Sequence, residues 1–195
     1  QMIMLGEANT VVSGGMENLS QAPHVLRGGR DGWRLGRSPP VEDYMMTNLQ
    51  DMTCGLYMAQ TSDEICKRKG VTREEVDEFA ALSHARASKS IDEGIFEQEI
   101  VPVVIKSRRG EKTITYQDED HVVRGTTAES LSGLPTAFGP DSLVTAGYAS
   151  GVVDGAAAVV IKSKTQAEAD GDKPLARIVS WGIVGLEPAI MAYGP

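Results

Sequence analysis

Two cysteines and three histidines are the residues of this sequence best suited to act as nucleophiles, bases or metal ligands. His24, His84 and His121 lie far apart, and no C-x-x-C, H-E-x-x-H or clustered carboxylate pattern gives metal-ligand spacing. Cys54 and Cys66 are too few for a disulfide framework, and we interpret them as two partly buried thiols. The sequence therefore predicts no metal site, and neither cysteine lies in a context typical of a nucleophile.

A second candidate is a loop in which glycine recurs at every fourth position, at Gly147, Gly151 and Gly155. This spacing matches neither the dinucleotide-binding fingerprint nor the Walker loop. One interpretation is a tight loop entering a strand. The other is a backbone left bare so that a thin ligand can lie against it, with the Ser150 hydroxyl able to donate and accept hydrogen bonds.

Charge and hydropathy exclude several kinds of partner. The chain has 195 residues with 19 Lys+Arg against 27 Asp+Glu, a net charge of −8 that argues against a nucleic-acid surface. The Arg-Gly tract at residues 27–37 resembles RNA-binding segments in composition, but a solvated loop is the favoured interpretation. The longest apolar run, residues 156–161, is far below the roughly 20 residues of a membrane span. The opening residues lack a secretory pattern, so we expect a cytoplasmic or organelle-matrix protein.

The elements that would position the glycine loop alternate between strands and helices, which predicts an α/β fold. Strands are expected near residues 9–13, 156–163 and 175–184, and the second is apolar enough to be covered on both faces. A hairpin is expected with strands over 99–106 and 112–116 and a loop at 107–111. Residues 20–43 are expected to form an extended excursion on the surface.

The helices carry clearer boundaries. One is predicted over residues 55–69 and stopped by Gly70; the next begins at a T-x-x-E capping box, Thr72 and Glu75, and continues to about residue 92. Short helices are predicted at 127–134 and 165–169. The buried face of the long helix is predicted from its 3.6-residue spacing to consist of Val76, Phe79, Ala80, Ser83 and Ala87.

Four segments in a fixed order carry a family resemblance. Residues 14–24 read GGMENLSQAPH, 70–80 GVTREEVDEFA, 144–158 VTAGYASGVVDGAAA and 185–195 GLEPAIMAYGP. These resemble the motifs of thiolases, the coenzyme A-dependent acetyl- and ketoacyl-transferases. The resemblance covers essentially the whole chain.

The resemblance implies a layered αβαβα thiolase-like fold, incomplete in this chain, with an inserted loop domain. Residues 1–20 would end the N-terminal core domain, 21–143 form the loop domain, 144–173 complete the N-terminal core domain and 174–195 begin the C-terminal one. The family's catalytic motifs would lie outside the sequence, so the isolated chain is expected to be an inactive internal segment, since the reaction needs a thiolate, a base and oxyanion donors. The complete enzyme is expected to be a homodimer or homotetramer that acts on acyl-CoA.

Coenzyme A, as a substrate, is the ligand that the resemblance implies. Its pantetheine arm is long, mostly apolar and carries two amides, which suits thioether and aromatic walls, a few hydroxyls and bare backbone, while its phosphates favour an arginine. The residues assigned by resemblance are the loop pair Ala149 and Ser150, the tunnel residues Leu49, Tyr57, Met58, Phe138 and Met191, and Arg124 and Ser130 near the nucleotide end. For Leu49 and Met191, plain core packing is the competing interpretation.

The chain departs from the family pattern at several positions. Tyr148 replaces the usual Asn of the glycine loop, Tyr57 replaces a common His, and the stretch after Arg124 is one residue short. The alternative to a thiolase segment is therefore a non-catalytic module that binds coenzyme A or an acyl carrier, in which Tyr148 marks lost catalysis. An unrelated structural α/β domain would require all the motifs to be coincidental.

Overall fold

The computed structural model describes residues 1–106, 113–116, 119 and 121–195. Within them, strands and helices are mixed along the chain, and two 3₁₀ segments lie at Leu19–Gln21 and Pro188–Tyr193. The strands are β1 Thr10–Glu17, β2 His24–Val25, β3 Glu42–Asp43, β4 Val103–Lys106, β5 Thr113–Tyr116 and β6 Gly155–Lys162. The helices are α1 Tyr44–Asn48, α2 Met58–Lys69, α3 Arg73–Asp92, α4 Ala128–Ser132 and α5 Lys164–Asp170.

Local capping signals set the two longest helices. Gly70 ends α2 in the left-handed conformation at φ 70°, which a side chain would strain. At the start of α3, the Thr72 hydroxyl accepts from the Glu75 amide at 3.2 Å, and the Glu75 carboxylate accepts from the Thr72 amide at 2.8 Å. Both predicted boundaries and the capping box are confirmed.

The buried face of α3 matches the predicted one in part: Ala80 is buried and Val76 and Ala87 are half-buried, whereas Phe79 and Ser83 are exposed. Asp77 and Ala80 are the residues of this helix that are buried, whereas the Phe79 side chain is 69% exposed. Asp77 can be buried because Arg73, one turn earlier, donates to both of its carboxylate oxygens at 2.8 and 2.9 Å. Apolar spacing alone therefore placed the face about one residue away from its actual position.

The chain divides into two compact units, each described by itself. The first comprises residues 1–55 and 152–187 with Gly194. In it β1 pairs antiparallel with β6, from Thr10 opposite Lys162 to Glu17 opposite Gly155. β6 corresponds to the strand predicted over residues 156–163. The prediction that this strand is covered on both faces is wrong in this structure, because six of the eight residues of β6 are exposed. Within the described residues, β6 has a ladder partner at one edge only.

Two further predictions concern strands. Residues 175–184 form no strand in the described structure, because no neighbouring segment offers them a hydrogen-bonded ladder. The predicted hairpin is confirmed in its strands, with β4 paired antiparallel to β5, although its loop at 107–111 lies outside the described residues. The excursion over 20–43 is mostly exposed, and β2 pairs with β3 where it closes.

The second unit comprises residues 56–151 and 188–193 with Pro195. Its buried apolar residues are Ala80, Leu131 and Val144, and its buried polar residues are Thr61, Asp77, Ser142 and Thr145. This core lies among α2, α3, α4 and the segment that leads into the glycine loop. None of the helices described is both long and apolar enough to cross a membrane. The four-part domain division predicted above stays a prediction.

Candidate functional site

The glycine loop is a tight turn anchored on a fully buried threonine. The Thr145 carbonyl accepts from the Ala149 amide at 3.0 Å, and its hydroxyl accepts from the Gly147 amide at 3.2 Å. Thr145 itself has no exposed surface. The turn is thus held from inside the second unit by the backbone and side chain of Thr145.

Two glycines of this loop are needed for packing. A Cβ on Gly147 would lie 2.4 Å from Leu131 Cδ2, and one on Gly151 would lie 2.1 Å from His121 Nε2. Both distances are far below van der Waals contact, so neither position can take a side chain without a shift of its neighbour. Protein atoms thus occupy the space beside both glycines, which agrees with the tight-loop interpretation.

Ala149 and Ser150 lie on the outer side of the same turn and are exposed. The Ser150 hydroxyl donates to the Gly151 carbonyl at 3.4 Å, a long hydrogen bond that leaves the oxygen free to accept. A backbone turn with an exposed hydroxyl can bind the amides of a ligand that lies along it.

Two of the predicted tunnel residues meet as an aromatic pair. The rings of Tyr57 and Phe138 are stacked, with their centroids 5.8 Å apart and an angle of 25° between their planes. Met58 follows Tyr57 at the start of α2, and 48% of its surface is exposed. Aromatic and thioether groups therefore adjoin at this end of α2.

The backbone links this pair to the glycine loop. Ala137, next to Phe138, donates its amide to the Val144 carbonyl at 2.8 Å, and Thr136 forms an antiparallel bridge with Thr145. The structure thus ties the segment that carries Phe138 to the one that leads to Ser150.

Met191 and Leu49 are the two remaining residues predicted to line the tunnel. Met191 lies partly buried in the 3₁₀ segment at Pro188–Tyr193, which packs against α2 and whose Tyr193 ring lies 4.7 Å from Lys69 Nζ. Leu49 follows α1 in the first unit and is partly buried there. A role for Leu49 and Met191 at the coenzyme A site stays a prediction.

The two residues assigned to the nucleotide end use their polar groups within the protein. Arg124 forms an ion pair with Asp92 on α3, and both side chains are more than half exposed. The Ser130 hydroxyl accepts from the Thr127 amide at 3.1 Å and donates to the Thr127 carbonyl at 2.8 Å, which caps α4. An incoming phosphate would have to compete with Asp92 for Arg124.

Sequence reasoning missed the polar residues that hold the loop. Asp63 of α2 accepts from the Ser142 hydroxyl at 2.7 Å and from the Leu143 amide at 2.8 Å. His84 of α3 lies 3.0 Å from the Gly147 carbonyl through its Nε2 atom. The available signal was that His84 falls on the same helical face as Asp77 and Ala80, at spacings of seven and four residues.

Burial shapes the titration of two groups near the loop. Burial raises the pKa of the Tyr148 phenol, and the nearby Arg73 guanidinium opposes the shift. The Tyr148 hydroxyl is buried beside Thr145, and no residue in the described part of the chain forms a hydrogen bond of good geometry with it. Burial, followed by the charge of Asp63, likewise raises the pKa of the Cys66 thiol. Tyr148 therefore directs its hydroxyl into the protein, away from solvent.

A cavity of about 440 Å³ at the start of α3 and α4 is a poor candidate for the ligand site. It contains none of the predicted site residues, and its three carboxylates would repel phosphates. Its lining residues are Arg73, Glu74, Asp77, Ala128, Glu129 and Ser132. Among the described side chains, no group of three His, Cys, Asp or Glu could hold a metal ion. Cys54 and Cys66 are free and partly buried, as predicted.

A family model described as the thiolase N-terminal domain matches residues 1–165. The chain belongs to the thiolase family. This thiolase chain is 43% identical over 193 residues to an acetyl-CoA acetyltransferase of Cupriavidus necator, covering 99% of the chain and 49% of that relative. It is 40% identical over 195 residues to a mitochondrial 3-ketoacyl-CoA thiolase of Homo sapiens, covering 100% and 49%. The chain thus spans about half the length of the curated relatives it matches.

Solved structures show the same fold. The crystal structure of human mitochondrial 3-ketoacyl-CoA thiolase matches with a TM-score of 0.88 at 39% identity, covering 100% of this chain and 49% of that one. A structure of the human enzyme in complex with CoA matches with a TM-score of 0.87, covering 100% and 48%. The predicted fold class, an incomplete thiolase-like α/β fold, is confirmed.

Proposed function

We propose that this thiolase chain supplies coenzyme A-binding elements for acyl transfer between an enzyme cysteine thioester and coenzyme A. The observation that carries the proposal is the backbone-linked arrangement of the Ser150 turn and the Tyr57–Phe138 pair within one compact unit. It offers the exposed hydroxyl, the aromatic surface and the exposed backbone that a pantetheine arm requires. The relatives named for acetyl-CoA and 3-ketoacyl-CoA, and the human structure with CoA, support the same ligand.

In the complete protein, the proposed reaction is cleavage or formation of a 3-ketoacyl-CoA. A cysteine thiolate attacks the keto carbonyl, the carbon–carbon bond breaks with protonation of the departing acetyl-CoA carbanion, and a second coenzyme A thiol then takes the acyl group. These 195 residues would contribute binding surface and no catalytic residue, so the isolated chain is expected to be inactive. The complete enzyme is proposed to act as a homo-oligomer.

The proposal is tested by titrating coenzyme A into the protein at its native full length by calorimetry. Replacing Ser150 by Ala is expected to weaken binding by about 1 to 3 kcal/mol, the range for losing a buried polar contact in the complex. Ser132→Ala is the matched control, since that hydroxyl donates to the Glu129 carbonyl within α4.

Turnover separates the two candidate functions. We expect the full-length protein to catalyse thiolysis of a 3-ketoacyl-CoA. At subsaturating coenzyme A, Ser150→Ala should slow this reaction and Ser132→Ala should leave it unchanged. Tight binding of coenzyme A without turnover would contradict the enzyme proposal and favour the non-catalytic module. Equal affinities for Ser150→Ala and Ser132→Ala would remove the loop hydroxyl from the site.

A further inference from the structure

His84 lies in the middle of α3, and its ring links two separate segments of backbone. Its Nε2 atom is 3.0 Å from the Gly147 carbonyl, and its Nδ1 atom is 3.3 Å from the Val123 nitrogen. Because a backbone N–H can only donate, Nδ1 must accept from Val123, and Nε2 must carry the proton that is donated to Gly147. The two contacts together require the neutral Nε2–H tautomer.

Both segments lead directly to the proposed site. Gly147 lies within the turn that exposes Ala149 and Ser150, and Val123 precedes Arg124. His84 therefore holds the turn and the neighbouring segment against one helix.

A second contact joins the same two segments. The His121 ring lies against Gly151, where a Cβ would come within 2.1 Å of Nε2. Glu119 orients this ring by accepting from the His121 amide at 2.9 Å and contacting Nδ1 at 3.1 Å. The glycine loop is thus bounded on one side by the segment that His84 also fixes.

We propose that His84 is a positioning residue for coenzyme A binding. By donating from Nε2 to the Gly147 carbonyl, the His84 ring holds the Ser150 turn in its binding geometry. This inference rests on the proposed function, in which coenzyme A lies along that turn. A turn fixed before the ligand arrives loses less conformational freedom on binding, so loss of this donor weakens affinity without removing any ligand contact.

Two amide substitutions separate the two hydrogen bonds of the ring. In His84→Gln the side-chain NH₂ reaches the place of Nε2 and can still donate to Gly147. In His84→Asn the shorter amide oxygen takes the place of Nδ1 and can accept from Val123, but nothing reaches Gly147. His84→Gln therefore rescues the positioning contact, and His84→Asn is its matched control.

Calorimetric titration with coenzyme A, on the protein at its native full length, tests the proposal. The expected result is about tenfold weaker binding for His84→Asn and at most about threefold for His84→Gln, as for loss and retention of one hydrogen bond. Equal affinities of the two variants would overturn the proposal.

Amide hydrogen exchange gives a readout that needs no ligand. The Ala149 amide, which closes the turn onto Thr145, is expected to exchange faster in His84→Asn than in His84→Gln. Equal exchange rates at Ala149 would overturn the positioning role even if both variants fold. Absence of coenzyme A binding by the unmodified protein would instead defeat the proposed function, and the exchange rates would still decide the role of His84.

Discussion

Replacing Gly147 by Ala tests how tightly the glycine loop is packed against the second unit. The new Cβ would lie 2.4 Å from Leu131 Cδ2 and 2.8 Å from Leu134 Cδ1. Leu131 is only 4% exposed, so its side chain cannot move into solvent to relieve the contact. Overpacking of this kind costs about 1–3 kcal/mol. We therefore expect the free energy of unfolding to fall by about 2 kcal/mol.

Gly133, at the end of α4, offers a matched control. A Cβ on Gly133 would meet nothing within 4 Å, and its φ of −78° suits any residue. Gly133→Ala is expected to leave stability unchanged or raise it by up to about 1 kcal/mol, because alanine restricts the unfolded chain. Gly151→Ala should fall between the two, because the His121 side chain that it meets is about half exposed and can turn away.

Urea unfolding of the full-length protein, followed by circular dichroism, measures the difference. The midpoint of Gly147→Ala should fall relative to Gly133→Ala with an unchanged m-value, which identifies a change in stability. A difference below about 0.5 kcal/mol would refute the packing argument, since it would mean that the loop can move away from Leu131 at little cost.

Two further results are expected. Arg73→Leu should lower the free energy of unfolding by about 3–5 kcal/mol in the same urea assay, because it leaves the buried Asp77 carboxylate without its partner. Combining Arg73→Leu with Asp77→Leu should recover most of that loss. Equal losses in the single and double variants would contradict this expectation. The Cys66 thiol, whose pKa is raised by burial and then by Asp63, should be alkylated with a pH midpoint above that of the same cysteine in the unfolded protein, as measured by mass spectrometry. Asp63→Asn should lower that midpoint, and a native midpoint below the unfolded one would contradict the assignment.

Local signals predicted the helices well. The T-x-x-E box at Thr72 and Glu75 and the glycine at position 70 act through hydrogen bonds and backbone angles of adjacent residues, so the sequence contains all that determines them. The β1 and β6 strands were likewise found from their apolar runs to within a few residues.

Features that depend on distant partners could not be predicted. Asp77 is buried beside its partner Arg73, and Arg73 is itself held by donating to the Leu131 carbonyl at 2.7 Å, a partner more than fifty residues away. The exposure of β6 could not be predicted for the same reason, because an apolar run does not determine which elements pack against its two faces.

The candidate site likewise has features that the sequence predicted and features that depend on distant contacts. The family motifs identified Ser150 and Phe138 as candidates, and the structure links their segments through backbone bonds. The roles of Asp63 and His84 depend on contacts with residues 142–147 that no local pattern encodes. Whether the candidate residues touch coenzyme A is still a prediction.

A crystal structure of the full-length protein with coenzyme A tests the central claim most directly. We predict that the pantetheine arm lies along the turn at Ala149 and Ser150, with an amide within hydrogen-bond distance of the Ser150 hydroxyl and apolar atoms against Phe138. Coenzyme A bound elsewhere, with Ser150 and Phe138 both open to solvent, would contradict the account.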